Sequence, residues 1–503
     1  MHRWDISDLT LPEVYKIDPP AADNLLVLTI LYHPDPDRMG QRALLTATAA
    51  CELSRLTPLF QSPREPIEQR PLEDAYLSRE PVALQQEAGG WVLKSSASGR
   101  SLTVNGRPVK ERLRLSKPQL EQGVALCLSQ RVVLWLQLGA PAPIATDCCD
   151  MVGEATALQQ FREALCAAAK EDVAVLLLGE SGSGKELAAH AIHSRSARSN
   201  QPLVPVNMAA IPADLAAAEL FGVSRGAFTG ADKSRDGYFS QANGGTLFLD
   251  ELGDCDSGIQ AQLLRALEQQ EIQRPGGKLE RVDLRVIAAT DANPDSSFSV
   301  ALRHRLAGVE LWLPPLRERR EDLGSLLRHF LPDELLQSAA DDPTRVSQWA
   351  NLVARLAIYH WPGNVRELAN ICRGLTLTNQ DSPKLLIPEF LERRLQQAQI
   401  DESQVAEPSP KTVSDQNVRD ALLAARWEVS QAARQLKISR QALYRRIQSI
   451  PELRTAADVP APEVEAVYYD CKGDLEQAAL RLQVSQAALR RRWRALDLQA
   501  DHW

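Results

Sequence analysis

The chain has 503 residues and a mass of 55.5 kDa, room for roughly three or four domains at about 150 residues each. Its 44% hydrophobic and 24% charged residues are the balance of soluble globular protein and exclude a disordered or fibrous chain. Lysine and arginine number 57 against 65 acidic residues, a net charge of -8, so any nucleic-acid contact is expected to be local.

The start, Met1-His2-Arg3-Trp4-Asp5, lacks the basic and apolar regions of a signal peptide. The apolar runs Val173 to Leu178 and Val132 to Leu136 are too short to span a bilayer. A cytoplasmic protein with no membrane partner is expected. The 8 cysteines are scattered without C-x-x-C spacing, so reduced, structural thiols are expected.

From Leu25 to Leu138 short period-two runs alternate with turn signals: Leu26 to Tyr32, Val82 to Gln85, Trp91 to Lys94, Leu102 to Val104, Val124 to Leu128 and Val132 to Leu138. Gly89-Gly90 and Asn105-Gly106 each sit between two runs, where positive φ makes a tight hairpin cheap. An all-β sandwich over residues 1–145 is predicted.

After Ala140 to Pro143, helical runs alternate with solid apolar strands: Val173 to Leu178, Leu203 to Val206, Thr246 to Leu249 and Leu284 to Ala288. Strands buried on both faces read this way, so residues 150–395 are predicted to be α/β around a parallel sheet, helical from about 316. The polar, proline-containing stretch Asp401 to Ser414 marks the clearest linker, within a boundary set at 396–414. In residues 415–503, Gln431-Ala432-Ala433, Leu436, Ser439, Ala442-Leu443 and Arg445-Arg446 recur 46 residues later, the offset 477 − 431, as two copies of one all-α unit.

The strongest chemical signal is Gly179-Glu180-Ser181-Gly182-Ser183-Gly184-Lys185-Glu186, directly after the strand ending at Leu178 and before a helix. Glycines let the backbone N–H groups and helix N-terminus face phosphate, and the lysine reaches the terminal phosphates, as an ATP site requires. Glu186 stands where a P-loop usually offers a hydroxyl to Mg²⁺, so the metal must lean on other groups. The apolar strand Thr246 to Leu249 ends in Asp250, a candidate Mg²⁺ carboxylate, and Glu251, a candidate general base for the attacking water.

These motifs resemble the bacterial enhancer-binding proteins, AAA+ ATPases that activate sigma-54 RNA polymerase; the glutamate after the P-loop lysine is that family's variant. Gly226-Ala227-Phe228-Thr229-Gly230-Ala231 matches the signature by which they contact sigma-54. The resemblance runs from Met151 to about Arg394. It implies that Asn207 positions the catalytic glutamate, that Thr290 and Arg366 are the two nucleotide sensors, and that Arg305 is an arginine finger acting on a neighbour's ATP in a hexameric ring. Asp291 replaces the usual asparagine beside the first sensor, and Ser299 replaces a second finger arginine, with Arg303 a nearby substitute.

In the first copy of the repeat, small alanines, a short turn and Ser439 as N-cap outline a helix-turn-helix. Arg440, Gln441, Tyr444, Arg445 and Arg446 are then candidates to read double-stranded DNA. This unit resembles the Fis-type motif that ends most such activators. The second copy, with Ser485 as cap, is more basic. Ser78, Arg79 and Asn105 resemble the forkhead-associated phosphothreonine site, an arginine and hydroxyl suiting phosphate, although Glu80-Pro81 replaces the usual histidine. The expected whole is a multidomain activator: a forkhead-associated-like sandwich, an AAA+ P-loop ATPase with α-helical lid, and tandem helix-turn-helix units. Its expected partners are upstream DNA, sigma-54 RNA polymerase holoenzyme and a phosphothreonine protein. The alternative is a DNA-binding regulator that nucleotide only assembles.

Overall fold

A computed structural model describes residues 25–46, 51–63, 68–78, 81–87, 90–95, 102–139, 149–225, 234–274, 279–291, 299–337, 342–380, 384–405, 415–425, 459–471 and 474–496, with isolated positions between. It divides into two compact units, Met1–Glu392 and Arg393–Trp503.

The amino-terminal β module holds two antiparallel sheets. The larger centres on Leu25–Tyr32, flanked by Arg42–Thr46 and Val132–Leu138, with Val124–Leu128 and Leu102–Val104 beyond. The smaller orders Arg112–Ser116, Gly90–Lys94, Val82–Glu87 and Cys51–Leu53. Leu28, Ile30, Leu126 and Leu134 of the larger sheet share one buried cluster with Leu84, Trp91, Leu93 and Leu115 of the smaller. Val104 pairs Arg107 around Asn105 and Gly106, at φ +49° and +75°, as the hairpin prediction requires. At the other predicted hairpin Glu87 pairs Gly90, so Gly90 is a strand residue and not a turn residue. A short helix, Lys117–Gln122, interrupts the otherwise all-β module.

Next comes a five-stranded parallel sheet, ordered Leu203–Asn207, Thr246–Asp250, Arg285–Thr290, Val175–Leu178, Val309–Trp312. Four of these strands were legible as apolar runs. Val309–Trp312 escaped the pattern, because as an edge strand it buries one residue and exposes Trp312. The lid follows as helices Leu323–Phe330, Asp333–Gln337, Pro343–Ile358 and Asn364–Asn379. The helix Glu389–Val405 runs into the expected linker, so residues 396–405 are helical; 406–414 lie outside the described residues.

In the β module the central strands are buried on both faces: Val27, Thr29, Leu31, Val133 and Trp135 point away from the module's core yet are at most 3% exposed. The lid covers them. Tyr32 stacks on Trp349 with ring centroids 6.4 Å apart, and the Arg320 guanidinium sits 5.7 Å from the Trp135 ring. Gln137 donates to Glu321 at 3.0 Å, and Ser347 bonds Gln130 at 3.0 Å. Gly324 lies so close to the central strand that a Cβ would come within 2.6 Å of the Ile30 carbonyl oxygen.

In the carboxyl-terminal unit the sequence repeat returns in the cores. Val418, Ala432, Leu443 and Ile447 share one buried cluster, and Val464, Ala478, Leu489 and Trp493, each 46 residues on, share another. Among the described residues no helix is long and apolar enough to cross a membrane.

Candidate active site

The strand Val175–Leu178 delivers the glycine loop, and the helix Lys185–Ser194 begins directly beneath it. Gly182 has φ +75°, and a Cβ there would meet the Gly363 carbonyl oxygen at 2.4 Å, so the loop is pressed against the lid. Lys185, 6% exposed, donates from Nζ to the Gly179 carbonyl at 2.9 Å and lies 3.9 Å from Glu251 Oε1. Asp250 ends the adjacent strand, and its Oδ1 accepts the Glu251 N–H at 3.1 Å. Burial pushes the Asp250 carboxyl above its ordinary value, with Lys185 opposing.

The lid grips the loop from above. Arg366 donates to Ser181 Oγ at 3.1 Å, and its backbone N–H to the Gly182 carbonyl at 3.2 Å. Asn364 donates to Glu180 Oε2 and to the Ser181 carbonyl, both at 3.1 Å. Arg317 pairs with Glu180 at 2.6 Å, a bond that holds this carboxyl below its ordinary value. Arg319 donates to the Ser183 carbonyl at 3.1 Å. A cavity of about 380 Å³ opens between loop and lid. Lys185, Glu186, Asp250, Glu251, Arg319 and Arg366 form its polar end, and Met151, Leu326, Phe330 and Val365 its apolar wall. An apolar wall beside a glycine loop, with Lys185 and the lid arginines Arg319 and Arg366 in the lining, has the chemistry to take a heteroaromatic base and a polyphosphate together.

Of the sequence-predicted residues, Gly182, Ser183, Gly184, Lys185, Glu186, Asp250, Glu251 and Arg366 line this cavity. Gly179, Glu180 and Ser181 brace the loop, and Thr290 does so from below, its carbonyl accepting the Gly179 N–H at 3.3 Å. Asn207 is the strand partner of Asp250, but its Oδ1 accepts the Ala210 N–H at 3.3 Å. Arg305 lies elsewhere, on the wall of a second cavity of about 600 Å³, donating from Nε and Nη2 to the Leu267 carbonyl at 3.1 and 2.8 Å. Arg303 is engaged by Glu310 at 3.1 Å, and Ser299 caps the helix Val300–Leu306 through the Leu302 N–H.

Gly226, Ala227, Phe228, Thr229, Gly230 and Ala231 lie outside the described residues, as do Arg79, Ser439, Arg440, Gln441, Tyr444, Arg445 and Arg446. Asn105 Oδ1 accepts the Ala125 N–H at 2.8 Å and ties its hairpin to the next strand, while the Ser78 carbonyl accepts from Arg55 at 3.4 Å. Sequence reasoning missed Arg317, Arg319 and Asn364. Asn364 stands two residues before Arg366 in the motif already singled out; the two arginines carry no spacing signal.

The loop, the strand-end carboxylates and the lid arginine define a P-loop ATPase arrangement, and comparison with known proteins makes it specific. Residues 151–311 match the sigma-54 interaction domain. Residues 317–408 match the AAA+ ATPase lid domain, and 416–449 the Fis family of bacterial regulatory proteins. The DNA-binding transcriptional regulator NtrC of Klebsiella pneumoniae is 46% identical over 242 residues, 47% of this chain and 51% of that protein. NtrC of Rhizobium meliloti is 42% identical over 272 residues, 52% of this chain and 54% of that protein. The chain spans about half the length of the curated relatives it matches. The crystal structure of Brucella abortus NtrX in complex with ADP is 30% identical, with 60% of this chain and 69% of that one covered and a TM-score of 0.41. The segment that matches the sigma-54 interaction domain contains every residue of the cavity's polar end except Arg319 and Arg366, which lie in the lid match.

Proposed function

We propose that the chain is a sigma-54-dependent transcriptional activator. It binds upstream double-stranded DNA through its carboxyl-terminal unit and uses ATP hydrolysis to remodel sigma-54 RNA polymerase into the open complex. The observation that carries this reading is the convergence of Lys185, Asp250 and Glu251 on one cavity within a sigma-54 interaction domain.

In this reading the glycine loop and Lys185 hold the β- and γ-phosphates of ATP, and Arg366 senses them from the lid. Glu251 takes a proton from the attacking water, and Asn207, beside Asp250 in the sheet, orients that carboxylate. Mg²⁺ fits the donor set, since hard carboxylate oxygens of Asp250 border the phosphate end; Asp250 would hold it through water, and it would neutralise charge on the phosphates. Arg305, remote from its own cavity, would exchange its bonds to the Leu267 carbonyl for a neighbouring subunit's ATP in a hexameric ring. Residues 226–231 would present Phe228 and Thr229 to sigma-54. For the β module we propose a regulatory role, with phosphothreonine-peptide binding at Arg79 checked on peptide arrays against Arg79→Ala.

The test is transcription in vitro by sigma-54 polymerase on supercoiled DNA. Transcripts are expected with ATP and none with a non-hydrolysable analogue; equal transcription from both would overturn the reading. The alternative, a regulator that nucleotide only assembles, draws support from the engagement of Arg303 by Glu310 and from Ser299 acting as a cap, which leave Arg305 as the finger. ATP turnover per subunit that rises with protein concentration excludes that alternative.

A further inference from the structure

The Fis-family match ends at 449, yet the second copy of the repeat forms its own folded unit. Helices Ala461–Asp470, Leu475–Leu482 and Gln486–Ala495 enclose Val464, Ala478, Leu482, Leu489 and Trp493. The cap predicted from sequence is made, with the Ala488 N–H donating to Ser485 Oγ at 3.3 Å. The last helix therefore occupies the place that the DNA-reading helix takes in the first copy, 46 residues earlier.

Its chemistry differs. Leu489 and Trp493, one turn apart, are the positions spent on the core. The helix carries four arginines and no acidic residue, and where the first copy has Gln441 and Tyr444 it has Ala487 and Arg490. At those two positions an amide and an aromatic ring suited to base edges give way to a methyl group and a cation, while Gln486 stands where the first copy has Arg440. Arg490 is exposed and Arg492 half-buried, and among the described residues neither has an ion-pair partner, whereas Arg481 on the preceding helix is paired with Asp470 at 3.1 Å. In a chain of net charge -8, two arginines without an ion-pair partner among the described residues, on a helix with no acidic residue, call for an anionic partner.

We propose that this second unit is a phosphate-backbone clamp: it grips double-stranded DNA through Arg490 and Arg492 without reading sequence, while the first unit supplies specificity. The proposal rests on the DNA-binding reading above. In the full-length chain, binding to two 40-base-pair duplexes of unrelated sequence is measured by fluorescence anisotropy across a KCl series. At about 0.9 per phosphate contact, Arg490→Ala with Arg492→Ala should lower the log–log salt slope by about 1.8. Affinity should fall about tenfold at low salt, by the same factor on both duplexes. The double lysine variant keeps the charge and should restore the slope. An unchanged slope, a loss confined to one duplex, or a lysine variant that behaves like alanine would each overturn the proposal. If the unmodified chain binds neither duplex, the DNA-binding reading itself falls.

Discussion

One lid helix, Leu323–Phe330, serves two regions built on opposite logic. Leu326, His329 and Phe330 line the cavity beside the glycine loop, while Gly324 and Arg328 meet the β module, the latter pairing with Asp37. The cavity side is assembled from contiguous motifs whose residues sacrifice packing for chemistry: Lys185 is buried against a carbonyl and a carboxylate, and Glu251 sits at φ +52°. The module side is assembled from apolar and aromatic surfaces drawn from separate segments, such as Tyr32 and Trp349. Charge held in place for a ligand contributes function at some expense of stability, whereas buried apolar area contributes stability and carries no motif.

If the two regions divide their work this way, the largest effect belongs to Lys185. Lys185→Ala should lower ATP turnover by at least about 10²-fold, the cost of losing one preorganised charge donor, with little change in the urea midpoint. A variant that unfolds instead would erase the distinction. Next comes Trp349, fully buried beneath Tyr32. Trp349→Ala should destabilise by about 3–5 kcal/mol, read from urea unfolding, whereas its ATP affinity in the folded range should hold within about threefold.

Gly324→Ala sharpens the comparison, because two effects have opposite signs. In an exposed helix this change stabilises by about 1 kcal/mol. Against the Ile30 carbonyl it should instead destabilise by about 1–3 kcal/mol through overpacking. A stabilised variant would show that the module does not rest on this helix in solution.

The smallest effect is a dependence on pH. Asp322, 1% exposed, accepts the N–H groups of Glu154 and Ala155 at 2.6 and 2.8 Å and lies 4.0 Å from Arg42 of the module. Burial raises its carboxyl to about 6, with Glu321 adding to the rise and Arg319 and Arg42 opposing it. The folded state therefore holds this proton to higher pH than the unfolded chain does, so stability falls as pH rises from about 4 to 6 and is level above. The difference in urea midpoint between the native chain and Asp322→Asn should shift against the native chain across that window. A constant difference from pH 4 to 7 would refute the assignment.

Much of the cavity was legible beforehand, because phosphate chemistry restricts residue types at fixed spacing. The loop from Gly179 to Glu186 and the pair Asp250-Glu251 could be picked out by eye, and the lid arginine Arg366 followed from its motif. Arg319 and Arg317 were missed because they act across more than a hundred residues on Ser183 and Glu180, a distance no local pattern encodes. Likewise the hairpin at Asn105-Gly106 was fixed by local backbone preference, whereas Gly90 pairs Glu87 as a strand residue and passes close to the Leu115 carbonyl, within 2.5 Å of where a Cβ would sit, a contact made across the sheet.

By itself the sequence determined the three kinds of region, the phosphate loop and the 46-residue repeat, since each follows from periodicity or from residue types that only one chemistry needs. Tertiary structure alone decided that the β module lies against the lid and that Arg303 and Ser299 are occupied within their own domain. It also decided that the second repeat has a closed core of its own. Those outcomes depend on which surfaces meet across the chain, and apolar burial, being non-directional, leaves no spacing in the sequence to announce its partner.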